Sequence, residues 1–472
     1  MTEEKSLYEK YGLKMNPFPL KGSFPLESEY EKEYAKIFIG REKTLKKINK
    51  MIEKMQLGEI LPVVFLTGEY GYGKTHALKY IQYVVMENYQ RIIPLYIKNI
   101  GEPTAIALYK AVIDAIDRTL MREHIYECAK RIMETREIID FITKPFPDFR
   151  EIIPKLADED IRALRWLFAE ELSVIEKDHL RVVREIRDEN ASDALISLIR
   201  LLYYGGNQRR FLFLIDELES VIGGESLDRV RRFYEALRNI IDKLSEEAMF
   251  IFSATPIVLT GHTSIRDLHP ALLTRIKGEI IQLRELTKEE TKKLIASYLD
   301  AFREPKVRKY YERLYPFTEE AIEIIYSHSK GVPREILRLA SIVLYEAARR
   351  NLSTITGDFV SRIFSAAETT IKREEIVIEE IPVSEETAIT VSEILEEEKA
   401  EKESLELKLS ELERKMYILL RKSENKSAPL SLLAKRLYII YEAAYRIAKS
   451  LERKGVVLVK PRGKGYRIFL RV

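Results

Sequence analysis

Residues Gly68-Glu69-Tyr70-Gly71-Tyr72-Gly73-Lys74-Thr75 fit the pattern G-x-x-x-x-G-K-[ST], and no other stretch constrains the fold so narrowly. The glycines let successive backbone N–H groups turn toward a polyphosphate. Lys74 can reach its outer phosphates, and the Thr75 hydroxyl can face Mg²⁺. The flanks supply the context this chemistry needs. Leu61 to Leu66 is a short apolar run that reads as a buried strand, and His76 to Glu87 carries apolar residues at helical spacing. A strand, a glycine loop and a helix N-terminus together form an anion site, with Gly68 to His76 as the contacting stretch.

At 472 residues the chain has room for two to four domains. It is 46% hydrophobic and 32% charged, which is the balance of a globular protein with a sizeable core. The single cysteine, Cys128, excludes an internal disulfide and a cysteine-based zinc site, and it points to a reducing, cytoplasmic setting. The start of the chain is polar and acidic, without a signal-peptide pattern, and no apolar run approaches the length of a membrane span.

Pro17, Pro19, Gly22 and Pro25 punctuate residues 1–37, which read as an extended lead-in. An α/β core is expected over 38–284. Its further strands are Ile92 to Ile97, Phe211 to Ile215, Met249 to Phe252 and Ile280 to Leu283, and they predict a parallel sheet covered on both faces. Residues 103–190 are helical in pattern, broken at Thr143-Lys-Pro-Phe-Pro-Asp148, and exceed what one crossover needs. They read as a helical insertion. An all-helical unit follows over 285–372, then a glutamate-rich linker over 373–404.

The run Phe211 to Ile215 ends in Asp216-Glu217, about 140 residues after the glycine loop. Such a strand delivers two adjacent carboxylates to one sheet edge. Asp216 is placed to hold Mg²⁺ through water, and Glu217 to polarise an attacking water. With the loop upstream, the pair supports nucleotide hydrolysis.

These motifs together resemble the AAA+ ATPases over about residues 38–370. In that family a further strand, lying between the other two, carries a polar residue facing the γ-phosphate. Here the segment Met249 to Pro256 offers Ser253 or Thr255, and the pattern leaves the choice open. Pro270 to Ile276 resembles the segment carrying an arginine finger, which implies Arg275, with Arg266 as the fallback, and self-association through that residue. Gly331-Val-Pro333-Arg334 resembles the start of a lid helix. By that resemblance Arg334 leans over the phosphates, while Arg338 is an exposed helix charge. Phe38-Ile39-Gly40-Arg41-Glu42 is similar to the segment that borders the adenine. Tyr11 to Phe18 resembles the start of ExeA-like transposition ATPases.

Residues 405–472 read as a winged helix-turn-helix. Helices are expected over Leu405–Arg421, Pro429–Leu437 and Ile439–Lys454, and strands over Val456–Val459 and Tyr466–Leu470. From Lys426 onward there are twelve Lys and Arg against two acids, while the whole chain carries only +3. A one-sided charge of this kind is the footprint of phosphate-backbone binding. Tyr441, Tyr445, Arg446 and Lys449 on the third helix are candidates for the major groove, and Arg462 and Lys464 for the wing.

The sequence therefore predicts a P-loop AAA+ core with a helical insertion, a helical lid and a winged helix. ATP and Mg²⁺ are its expected ligands and double-stranded DNA its expected partner. The architecture is similar to archaeal origin-recognition initiators. The alternatives are an ATP-dependent adaptor for transposition or anti-element defence, whose winged helix recruits a partner enzyme, and a signalling ATPase that binds no DNA.

Overall fold

The computed structural model describes residues 7–22, 24–26, 28–59, 63–120, 122–221, 227–256, 258, 280–306, 308–372, 411–421, 427–436, 441–462 and 465–470. The chain divides into two compact units, Met1–Val360 and Ser361–Val472.

The first unit is built on strands β1 (Val63–Thr67), β2 (Ile92–Ile97), β3 (Arg210–Ile215), β4 (Ala248–Ala254) and β5 (Ile280–Gln282). They pair in the order β2-β3-β4-β1-β5, every pair parallel. β4 thus lies between the strand that enters the glycine loop and the strand that ends in Asp216. Each of the five begins within a few residues of its sequence expectation, because a strand buried on both faces is a short uninterrupted apolar run.

Successive residues of these strands feed two opposite cores. Val64, Leu66, Leu212, Leu214, Met249 and Ile251 face one side. There they meet Ile48, Ile52 and Met55 of a helix over Glu42–Leu57 and Leu78, Ile81 and Val85 of a helix over Lys74–Asn88. Phe65, Leu95, Ile97, Phe211, Phe213, Phe250 and Phe252 face the other side. That core runs without a break into helices over Ala105–Thr119, Arg122–Ile132, Arg136–Thr143, Phe149–Ala157, Ile161–Leu167 and Val174–Leu180, and into the almost wholly buried helix Ala191–Gly205. The insertion is thus continuous with the sheet. Its centre is Trp166, stacked on Phe146 at 5.7 Å and meeting Phe149 edge-on at 5.6 Å. Aromatics of this size bury enough area to contribute about 2–3 kcal/mol each.

Helices over Lys288–Phe302, Glu319–Ser329 and Pro333–Arg349 follow the sheet. The first has a capping box between Thr287 and Glu290. The lead-in is not simply extended. It contains a short turn at Glu9–Tyr11 and a helix at Glu31–Lys36, and it is tied down along its length. The Tyr11 hydroxyl donates to Leu352 O at 2.6 Å, Asn16 Nδ2 donates to Ser341 O at 3.1 Å, and Phe18 is buried against Tyr298 and Phe317. Apolar side chains between its prolines give it a surface to bury, which turn residues alone do not reveal.

In the second unit, a helix over Glu411–Arg421 is followed by strand β6 (Ser427–Pro429), helices over Leu430–Arg436 and Tyr441–Arg453, and strands β7 (Val457–Arg462) and β8 (Gly465–Leu470). The strands pair antiparallel in the order β6-β8-β7. Met416, Leu420, Leu430, Leu433, Ala448, Leu451, Val457 and Ile468 form its core. Pro429 ends a strand here instead of opening a helix, because Ser427 to Pro429 pairs with Arg467 to Phe469. The linker expected over 373–404 lies outside the described residues. Among the described residues no helix is long and apolar enough to cross a membrane.

Candidate functional site

The ends of β1, β3 and β4 lie side by side, so the segments that leave them converge, as at the ligand crevices of parallel sheets. After β1 the chain turns through Gly71 at φ +81° and Gly73 at φ +84°, and Gly73 caps the helix that starts at Lys74. A side chain at either position would be strained. The loop is also pressed from outside: a Cβ on Gly71 would lie 3.1 Å from Val332 Cγ1 and 3.2 Å from Arg334 Cβ.

Lys74 is buried and donates to Gly68 O at 2.8 Å, with a longer bond to Glu69 O at 3.4 Å. Burial lowers its pKa. Glu219, then Asp216, Glu69 and Glu217, oppose the shift without cancelling it. Thr75 follows in the first helical turn. His76 is turned away from the loop. Its ring packs between Phe24 and Phe38, and Nε2 lies 2.9 Å from Tyr34 O. Its side chain is therefore engaged by the lead-in and Phe38, so any part in the contact stretch expected above falls to its backbone N–H. Burial pushes its pKa down to about 4.

Asp216 is almost fully buried. Its Oδ1 accepts from the Ser253 hydroxyl and from the Glu217 N–H at 3.0 Å, and its Oδ2 accepts from the Tyr96 hydroxyl at 3.1 Å. Ser253 Oγ also accepts from the Glu217 N–H at 3.3 Å. Of the two hydroxyl candidates on β4, Ser253 is thus bonded to the carboxylate, while the Thr255 N–H donates to Glu219 Oε2 at 3.2 Å. Glu217 is exposed and sits at φ +51°, a left-handed conformation uncommon for a residue with a side chain. Backbone held this way concentrates at sites where surrounding contacts over-determine it.

Arg41 is buried, donates to Tyr72 O at 3.2 Å, and has its pKa lowered to about 10 by burial. Its other terminal nitrogen, Nη1, has no hydrogen-bond partner among the described residues. The Tyr72 hydroxyl donates to Glu285 Oε1 at 2.6 Å. Ile39 is half-buried, and Gly40 at φ +73° has no room for a Cβ beside Leu286 and Glu290. These contacts fix the loop to the segment leading into the helix at Lys288.

Arg334 lies on the loop. Its backbone N–H donates to Gly71 O at 3.2 Å, its Nε donates to Lys21 O at 3.2 Å, and its guanidinium carbon stands 4.4 Å from the Tyr70 ring centre. The head group is held by the exposed loop tip and the lead-in. Arg338, expected to be an exposed charge, is buried and paired with Glu335 at 2.7 Å. Arg275 and its fallback Arg266 lie outside the described residues.

In the second unit, two groove candidates are engaged locally. Tyr445 packs on Tyr466 with ring centres 4.7 Å apart, and Lys449 pairs with Glu452 at 2.7 Å. The side chains of Tyr441, Arg446 and Arg462, and all of Lys464, lie outside the described residues.

Tyr96, Lys79 and Glu219 are not among the sequence-predicted site residues. Tyr96 pairs in register with Leu214, two residues before Asp216, so both side chains share one sheet face. Register between strands this far apart leaves no local mark in the sequence. Glu219 was legible as a third acid near the strand end, but only the fold turns it toward Thr255 and Lys74, and burial raises its pKa.

A search of curated protein sequences finds no match. Among solved structures, the chain resembles the Aeropyrum pernix ORC1 protein in complex with DNA, at 12% identity and a TM-score of 0.42, covering 94% of this chain and 92% of that one. It also resembles CDC6P from Pyrobaculum aerophilum, at 12% identity and a TM-score of 0.41, over 93% of each. The RuvB Holliday junction branch migration motor of Thermotoga maritima matches at 15% identity and a TM-score of 0.34, over 93% of this chain and 96% of that one. Likenesses this distant say nothing of what this chain does. The KAP family P-loop domain, by contrast, matches residues 41–348, a span that takes in the glycine loop, Asp216 and the helix carrying Arg334. The P-loop is the ground this family shares with the AAA+ resemblance drawn from the motifs, and by that match over more than half its length the chain belongs to the KAP family of P-loop proteins.

Proposed function

We propose that this protein binds ATP with Mg²⁺, hydrolyses it slowly, and uses the nucleotide state to control binding of duplex DNA by its C-terminal unit. The observation that carries the nucleotide reading is the convergence of a buried Lys74 with a buried Asp216 held by two hydroxyls. The donor set suits Mg²⁺: one hydroxyl at Thr75 and one carboxylate at Asp216 are hard oxygen ligands, and this ion needs little more from a protein when a phosphate supplies the rest. Bound there, it would neutralise charge on the phosphate oxygens.

The chain's own residues divide the remaining work. Backbone N–H groups from Gly71 to Thr75 cradle the phosphates, and Lys74 exchanges its loop carbonyls for phosphate oxygens. Glu217 orients and deprotonates the attacking water, its position set by the left-handed turn after Asp216. Arg334 rides on the loop and is the residue that would reach over the phosphates on release from Lys21 O. Lys74→Ala should abolish nucleotide binding, and Glu217→Gln should keep binding but cut turnover at least a hundredfold, roughly the worth of a general base. Turnover by Glu217→Gln at the wild-type rate would refute the assignment.

The DNA part rests on the basic excess after Lys426 and on the compact helix-and-sheet unit that carries it. Each phosphate contact adds about −0.9 to the slope of log affinity against log salt, so changing Arg462 and Lys464 together to Ala should flatten it by up to about two units. Full-length protein that binds no duplex even at low salt would move the reading to an adaptor that recruits a protein partner. Self-association through Arg275 and a cytoplasmic setting belong to the same proposal.

A further inference from the structure

A chain of side chains, half-exposed at Glu31 and buried from Lys79 inward, runs from the lead-in to Asp216. Glu31 and Tyr34 stand about one turn apart on the helix Glu31–Lys36, and both engage the helix that begins at Lys74. Tyr34 O meets His76 Nε2 at 2.9 Å, and Glu31 Oε1 pairs with Lys79 Nζ at 2.8 Å. Lys79 is itself buried, and its ammonium stands 3.8 Å from the centre of the Tyr96 ring. Tyr96, also buried, donates to Asp216 Oδ2 at 3.1 Å. Glu31, Lys79 and Tyr96 all lie outside the phosphate loop and the strand that carries Asp216.

The chemistry of this chain is directional. A cation over the face of a phenol draws on its π electrons and makes the hydroxyl a stronger donor. A buried ammonium needs a carboxylate to hold it, and Glu31 supplies one, with Gln82 Oε1 accepting a second bond at 3.2 Å. At the other end, a carboxylate offers about four acceptor positions. Tyr96, Ser253 and the Glu217 N–H occupy three, which leaves one direction for an outer partner.

We propose that Tyr96 and Lys79 are positioning residues for Asp216, and that Glu31 sets them, so that docking of the lead-in aims the metal-side carboxylate. This rests on the reading that Asp216 serves Mg²⁺ with a bound nucleotide. Ser253 and the Glu217 N–H hold only Oδ1. Without the Tyr96 donor, Oδ2 is free to rotate away from its working direction. Without Glu31, only the neutral Gln82 side chain among the described residues holds the ammonium near the ring, and the Tyr96 bond weakens.

The test follows fluorescence anisotropy of a fluorescent ATP analogue on the full chain while Mg²⁺ is titrated. In Tyr96→Phe the half-saturating Mg²⁺ concentration should rise about tenfold, the cost of one hydrogen bond to a charged group. In Glu31→Gln, on the half-exposed end of the relay, it should rise about threefold, as for a weakened cation–π contact. Affinity for the analogue without Mg²⁺ should stay within about twofold, since no phosphate contact is removed. The double variant should be no worse than Tyr96→Phe alone, because both act on one bond. A merely structural role would lower thermal stability additively and leave the Mg²⁺ midpoint in place. Wild-type protein that binds no nucleotide, or binds it without responding to Mg²⁺, overturns the functional reading and this inference together. A normal wild-type response that both variants retain overturns this inference alone.

Discussion

Replacing Ser253 with Ala separates the two hydroxyls that the motif alone left equivalent. Ser253 is fully buried, donates to Asp216 Oδ1 and accepts from the Glu217 N–H at 3.3 Å. A hydrogen bond to a charged group contributes about 1.5–3 kcal/mol. Asp216 keeps Tyr96 and the Glu217 N–H in the variant, so the lower end, about 1.5–2 kcal/mol, is the appropriate figure. If Asp216 must be aimed for the chemical step, that loss appears in the transition state as about a ten- to thirtyfold fall in turnover. Steady-state phosphate release at saturating ATP measures it, and nucleotide affinity without Mg²⁺ serves as the control. Thr255→Ala should stay within about threefold, since the contact at this position is made by its backbone N–H to Glu219 and survives the change. The role given to Ser253 fails if Thr255→Ala loses more activity than Ser253→Ala, or if Ser253→Ala turns over at the wild-type rate.

Two further outcomes concern stability. His76 has a folded pKa of about 4 against 6.5 for the free side chain, so the folded state binds fewer protons between those values. Its contribution is complete above about pH 6.5 and is lost as pH falls toward 4, with about 2 kcal/mol of the loss falling between pH 7 and pH 5. Urea denaturation at those two pH values should show the difference shrinking in His76→Gln, and an unchanged difference would exclude His76 as its source. Arg200 pairs with buried Glu247 at 3.2 Å, donates to Lys243 O at 2.9 Å and lies 4.1 Å from the Phe141 ring centre. Arg200→Ala strands that carboxylate and should cost about 3–5 kcal/mol, whereas Arg200→Met combined with Glu247→Gln should recover much of it in the same denaturation assay. Equal losses in both variants would mean that packing, not charge, dominates there.

Much of this protein is written locally. The five parallel strands, the glycine loop, the helix that begins at Lys74 and the acids after Ile215 are each specified by neighbours in the chain. A buried strand is an apolar run, a phosphate loop needs its glycines, and a helix needs its period. The places of Lys74, Asp216 and Glu217 are therefore legible in the chain alone. What tertiary structure decided is which side chains those local pieces meet. His76 follows the loop in sequence, but its side chain is claimed by Phe24 and Tyr34 of the lead-in and by Phe38. Arg338 reads as a surface charge until helix packing buries it beside Glu335. Pro429 reads as a helix start until β8 pairs with it. Tyr96 stands 120 residues from Asp216 in sequence, and only the β2–β3 register sets its hydroxyl against that carboxylate. Local propensity acts within a few residues, whereas register and docking are settled by burial of whole faces, and that is why the loop could be read from the sequence and the relay behind it could not.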